Sequence, residues 1–286
     1  MAADPFVNAP FRSDPRLPAR VSPSSLPRMS ETSTYAIIQY NGQNLAGWQR
    51  QSAARTGQGE LEAVLERLTG ARVVTHAAGR TDAGVHAIGQ TVSFSVPQRW
   101  TPTELLRALR ALLPQDMWVR RVGLAPTGFN ARRHAIARHY RYVIGCDPAA
   151  SSPFRRPFEW ALCQELRTRD IKRVAEMLLG EHDFRAFSIK GQEKPHYRCK
   201  INVAEWRERD DGQGLIFEVE ADRFLHRMVR LLVGTMVDVG RARRPVGDVS
   251  HLLTTTDNAE TSPPAPPEGL YFVGAHYPKL DEVTDQ

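Results

Sequence analysis

Lysine is almost missing from this chain. Only Lys172, Lys190, Lys194, Lys200 and Lys279 occur, so 33 of the 38 basic residues are arginine. Cysteine is scarce too: Cys146, Cys163 and Cys199 stand far apart, without C-x-x-C spacing or a close histidine partner. This argues against a disulfide-stapled scaffold and a structural zinc site, and suits a reduced, cytoplasmic protein without a metal. No apolar run approaches the ~20 residues that a spanning helix needs, so no membrane segment is expected. Acidic residues are the minority, 32 against 38, for a formal net charge of +6. That excess suits a polyanionic partner, and the arginine bias fits either such a surface or the codon usage of a GC-rich coding sequence. With 286 residues, 41% of them hydrophobic, the chain can bury one large core or two ordinary ones.

Residues 1–33 are rich in Pro, Ser and Arg, lack a sustained apolar segment, and read as a disordered N-terminal extension. Asp4, Asp14 and several prolines argue against an amphipathic transit helix there, and Met29 stands just before the first strand-like run. The periodicity then predicts a strand over 34–40, a helix over 58–69 closed by Gly70, and strands over 72–77 and 90–96. Thr101-Pro102-Thr103-Glu104 forms a capping box with proline at the first helical position, opening a helix that Pro114 ends. A strand over 117–124 follows. Two stretches, residues 125–128 and 147–157, compete as the hinge between halves. Beyond them the pattern gives strands over 138–145, 200–207 and 215–221, and helices over 171–179 and 224–239. Mixed elements in both halves indicate an α+β fold, with one α+β subdomain over 34–128 and another over 129–286.

The most informative stretch is Gly79-Arg80-Thr81-Asp82-Ala83-Gly84-Val85-His86-Ala87-Ile88. It sets a carboxylate beside a guanidinium in a glycine-bounded loop between two strand-like runs, where a side chain is presented rather than packed. On its own, an Arg-x-Asp turn is commonly a solvated surface pair. Arg138-His139-Tyr140-Arg141-Tyr142 alternates cleanly, and Tyr140 reads either as a core aromatic or as a stacking platform. In the final predicted helix, Arg223, Arg227 and Arg230 fall at i, i+4 and i+7 with His226 beside them, one basic face.

Taken together these strings resemble the TruA family of tRNA pseudouridine synthases. Residues 129–135 (FNARRHA), Gly47-Trp48-Gln49-Arg50-Gln51, residues 180–187 and Glu268-Gly269-Leu270 extend the likeness over residues 34–278. The resemblance implies a pseudouridine synthase fold with two α+β subdomains flanking a basic cleft. It implies a cofactor-free isomerase acting on uridines 38, 39 and 40 of the tRNA anticodon stem-loop, and a homodimer. It makes Asp82 the catalytic carboxylate, with Arg80 filling the stack vacated by the target base and Tyr140 in the active site. Arg230 would lie against Asp82 to hold its charge and rotamer. Arg227, His226 and Arg132 would contact substrate, Arg227 also reading as part of a solvated basic face and Arg132 as structural.

Two departures touch local contacts rather than chemistry. Asn41-Gly42 stands where the family has Asp-Gly, and Leu109-Arg110-Ala111 where it has L-N-A. Two rival readings are an RNA-binding protein that has lost catalysis and a retaining glycosidase or nucleosidase. The second normally needs two carboxylates, and the signature loop offers one.

Overall fold

The structure is a computed structural model that describes residues 30–189, 196–254, 260–278 and 280. The expected N-terminal extension lies outside the described residues up to position 29. In chain order the elements that position the site are β1 (Glu31–Tyr40), α1 (Gly57–Thr69), β2 (His76–Ala77), β3 (His86–Pro97), α2 (Pro102–Leu112), β4 (Met117–Leu124) and β5 (Ala137–Gly145). They continue with β6 (Trp160–Ala161), α3 (Thr168–Met177), β7 (Gly180–Asp183), β8 (Arg198–Glu208), β9 (Gly214–Ala221), α4 (Met228–Gly240) and β10 (Leu270–His276).

Local chemistry explains most of these boundaries. Thr56 caps α1 by accepting the Gly59 N–H at 3.2 Å, and Gly70 ends it in left-handed backbone at φ 75°. Leu61 and Leu65, one turn apart, are fully buried. At α2 the capping box forms in full: Thr101 Oγ1 accepts the Glu104 N–H at 3.3 Å, and the Glu104 carboxylate accepts the Thr101 N–H at 3.1 Å.

One sheet runs through the described chain in the order β4-β1-β3-β10-β5-β9-β8-β7, with β2 on β3 and β6 on β5. The expected division near residue 128 falls between β4 and β5, which belong to this same sheet. β10, from the end of the chain, is the joint: it runs antiparallel to β5 and parallel to β3, setting Tyr271 opposite His86 and Phe272 opposite Ala87. The entrance to β3, where the signature loop ends, is thereby brought within one intervening strand of β5, which carries Tyr140.

Several elements differ from their predicted extents. β1 begins at Glu31 because its polar start pairs in register with residues 95–97 of β3. The strand expected over 72–77 shrinks to His76–Ala77, the only part that reaches β3. Thr91 and Ser93, on the polar side of the alternation in this strand, are buried, since β3 lies inside the sheet; Ser93 Oγ accepts the Ala131 N–H at 2.9 Å. Most consequential, α4 starts at Met228 rather than at residue 224, because Arg227 adopts left-handed backbone (φ 60°, ψ 10°). That conformation costs a non-glycine residue about 1–2 kcal/mol. It replaces the expected helical face of Arg223, Arg227 and Arg230 with a turn followed by a helix.

Candidate active site

Residues 78–85 form a loop pinned at each end, the far end by the Gly84 N–H donating to Leu45 O at 3.3 Å. The Gln90 side chain donates to Gly79 O at 2.8 Å and accepts the Gly79 N–H at 3.4 Å. Thr81 O accepts the Trp48 N–H at 3.1 Å, and the Thr81 hydroxyl meets the Tyr40 hydroxyl at 2.8 Å. Burial is the main reason the Tyr40 phenol is pushed up to about 12, so it serves here as a neutral hydrogen-bonding group. The two glycines expected to let the loop turn tightly do different work. Gly84 turns at φ 80°, whereas Gly79 permits close approach: a Cβ there would stand 3.1 Å from the Phe272 ring and 3.4 Å from the Tyr140 hydroxyl oxygen.

Between these anchors Asp82 projects toward two arginines and a histidine. Arg230 Nη1 donates to Asp82 Oδ2 at 3.3 Å; His226 Nε2 lies 3.4 Å from Oδ1, and Arg227 Nε 3.8 Å from Oδ2. Exposure ranks them. The Arg230 side chain is 11% exposed and Arg227 and His226 are 42% and 58%, so Arg230 is the least screened partner. Arg230 is also held from behind, its Nε donating to Ala265 O at 2.7 Å while its own carbonyl accepts the Ala265 N–H at 2.9 Å. The left-handed Arg227 turns residues 224–227 back over the loop, which is how His226 and Arg227 reach the carboxylate despite preceding the helix.

Tyr140 is 8% exposed, with its ring edge-on to Phe224 and Phe272 at centroid distances of 5.0 and 5.1 Å. Burial, then the nearby Tyr40 and Asp82, raises its pKa, which keeps the phenol protonated near neutral pH. Arg80 and Arg132 are exposed at the rim. A cavity of about 710 Å³ gathers Arg80, Asp82, Arg132, Tyr140, His226, Arg227 and Arg230, so all seven residues predicted from sequence share one site. Its size lies within the ~300–1,000 Å³ usual for small-ligand pockets. Asp82 is the one carboxylate among the described lining residues. Among the described residues no three His, Cys, Asp or Glu side chains cluster as a metal site would require, and no helix is long and apolar enough to cross a membrane.

Other lining residues were not singled out by sequence reasoning. Gln49, Gln51, Arg138 and Phe224 face the cavity, joined by Arg223 from the basic face already noted. Gln49, Gln51 and Arg138 lie inside strings already quoted above, so a signal for all three was present; what was missing was the direction of each side chain. The loop is braced a layer further out by His86, which accepts the Gly42 N–H at Nδ1 (3.1 Å) and meets Pro157 O at Nε2 (3.1 Å). The Gly42 bond leaves Nε2 as the protonated nitrogen, and burial lowers the pKa of the ring.

A family profile described as tRNA pseudouridine synthase matches residues 36–130 and 174–278. The tRNA pseudouridine synthase A of Hydrogenovibrio crunogenus is 37% identical over 249 residues, 86% of this chain and 93% of that protein. Its counterpart from Moorella thermoacetica is 39% identical, covering 84% of this chain and 97% of the relative, and that from Methylococcus capsulatus is 38% identical over 85% and 88%.

Proposed function

Since the chain belongs to the tRNA pseudouridine synthase family, we propose that its pocket isomerises uridine to pseudouridine at positions 38 to 40 of the tRNA anticodon stem-loop, with Asp82 as the catalytic carboxylate. The observation that carries this is the setting of Asp82: a lone carboxylate on a braced loop, hydrogen-bonded by the largely buried Arg230 and sharing its cavity with the Tyr140 ring.

Isomerisation breaks the N1–C1′ bond, turns the uracil, and joins C5 to C1′; C5 loses a proton and N1 ends with one, so the composition is unchanged. Asp82 attacks the nucleoside or steadies the cationic sugar as the bond breaks. Arg230 supplies the fixed counter-charge that keeps the carboxylate aimed. Tyr140, protonated and edge-packed, offers a ring face to the uracil. Arg80 fills the gap left in the stack, since extruding a base costs a few kcal/mol. Arg132, His226 and Arg227 lie along the rim and take the RNA backbone. A retaining glycosidase would place a second carboxylate about 5 Å from the first, and the described lining residues supply none. We also propose that the enzyme works in the cytoplasm as a homodimer, one subunit holding the tRNA body while the other presents its pocket; sedimentation velocity of the full chain tests the dimer.

The central test is release of tritium from C5-labelled uridine in tRNA, run beside filter binding on the same samples. Asp82→Asn keeps size and most hydrogen bonding but removes the charge, so isomerisation stops while affinity stays within a few-fold. Arg80→Ala also fails in turnover. Substantial tritium release by Asp82→Asn would falsify the assignment.

A further inference from the structure

Arg138 lies within 4 Å of no carboxylate among the described residues. Its guanidinium donates instead to four backbone carbonyls: Nε to Ala78 at 3.4 Å, Nη1 to Ala135 and Asp222 at 2.8 Å each, and Nη2 to Arg132 at 2.6 Å. These carbonyls lie outside helices and strands, in three separate stretches of chain. Each stretch carries a cationic pocket residue beside the bond. Arg80 follows Ala78 by two positions, Arg132 is itself an acceptor, and Arg223 follows Asp222. Arg138 precedes Tyr140 by two positions on β5, so both side chains leave the same face of one strand.

The chemistry suits arginine alone. A planar guanidinium presents five N–H donors in fixed directions, enough to reach separate segments at once, whereas an ammonium radiates three from a single atom. Desolvation pulls the Arg138 pKa down, as expected of a cation held by neutral dipoles rather than by a counter-charge.

We propose that Arg138 is a positioning residue for the isomerisation: one guanidinium that fixes the spacing of the segments bearing Arg80, Arg132 and Arg223 around Tyr140. This rests on reading the pocket as the uridine site. Arg138→Lys keeps the charge and loses the fan of bonds, while Arg138→Met loses both. The full-length variants are compared with the parent by hydrogen exchange without RNA and by single-turnover rate at saturating enzyme, well below the melting temperature. Exchange should rise together over residues 78–83, 131–136 and 221–226 and stay unchanged in β1 and β8. The saturated rate should fall at least about tenfold in both variants, because a displacement of about 1 Å in a site costs up to ~10²-fold. A lysine variant within about twofold of the parent rate would overturn the proposal, as would unchanged exchange in the three stretches. Should the methionine variant not fold, the lysine variant alone decides. Arg80→Ala is assayed alongside: normal turnover there would refute the role given to Arg80, while the exchange pattern still decides Arg138.

Discussion

Asp82 is surrounded by two arginines and a histidine yet hydrogen-bonded to Arg230 alone, and that asymmetry separates their roles. Arg230 is clamped at both its side chain and its carbonyl by Ala265, so its aim at Asp82 is fixed before substrate arrives. Arg230→Met should therefore slow the saturated single-turnover rate by about 10²-fold, the usual effect of removing one preorganised donor, while tRNA affinity holds within a few-fold. Recovery of the normal rate at saturating enzyme would make Arg230 an RNA contact instead. His86 gives a second residue-scale expectation. Its pKa is lowered by burial, so the unfolded chain binds the proton more readily than the fold does. Stability is then complete above the unfolded value of ~6.5 and is lost as pH falls below it. The imidazole resonances should titrate below ~6.5 in NMR, and a value at or above that would contradict the buried, neutral tautomer. Asp82 and Arg230 were legible in the sequence through their motifs. The convergence of His226 and Arg227 was legible only in outline, because a left-handed arginine has no periodic signature.

Elements whose ends are set by local chemistry followed the sequence closely, and α2 is the clearest case. Thr101→Ala removes the cap at a cost of about 1 kcal/mol, which should lower the melting temperature by roughly 2–4 °C. The saturated isomerisation rate should not change, since no α2 residue lines the pocket; an altered rate would mean that α2 couples to the site. Elements set by distant pairing were harder to read. β10 is short, bulges between Phe272 and Gly274, and gains its identity from β3 and β5, both remote in sequence. β7 is the polar run Gly180–Asp183, recognisable as a strand only through its pairing with β8. The two departures from the family pattern have local explanations. Asn41 Oδ1 accepts the Gln43 N–H at 3.1 Å, keeping the turn that an aspartate would make. Arg110 lies over the Trp118 ring at 4.3 Å and donates to Val119 O at 2.8 Å, tying α2 to β4.

For the molecule as a whole, composition suggested a polyanion partner without locating it, and the structure brings six of the 33 arginines to one cavity. Arg80, Arg132, Arg223 and Arg227 border the same cavity, although they come from three different loops and only Arg223 and Arg227 are close in sequence. A net charge of +6 is modest for the chain length, so affinity for tRNA must come from this local concentration rather than from a diffuse field. Each phosphate neutralised releases condensed counterions, contributing about −0.7 to −0.9 to the slope of log K against log salt. With Arg80 given to the base stack, the other three rim arginines engaging three phosphates would give a slope of roughly −2 to −3 by that rule. Filter binding between low and moderate salt measures it directly. Arg227→Gln should lower affinity for every tRNA by a similar factor and make the slope shallower by about 1, the mark of a backbone contact that carries no base information. An unchanged slope would place the Arg227 side chain with Asp82 rather than with RNA. Binding that ignores salt altogether would remove the basic rim from recognition.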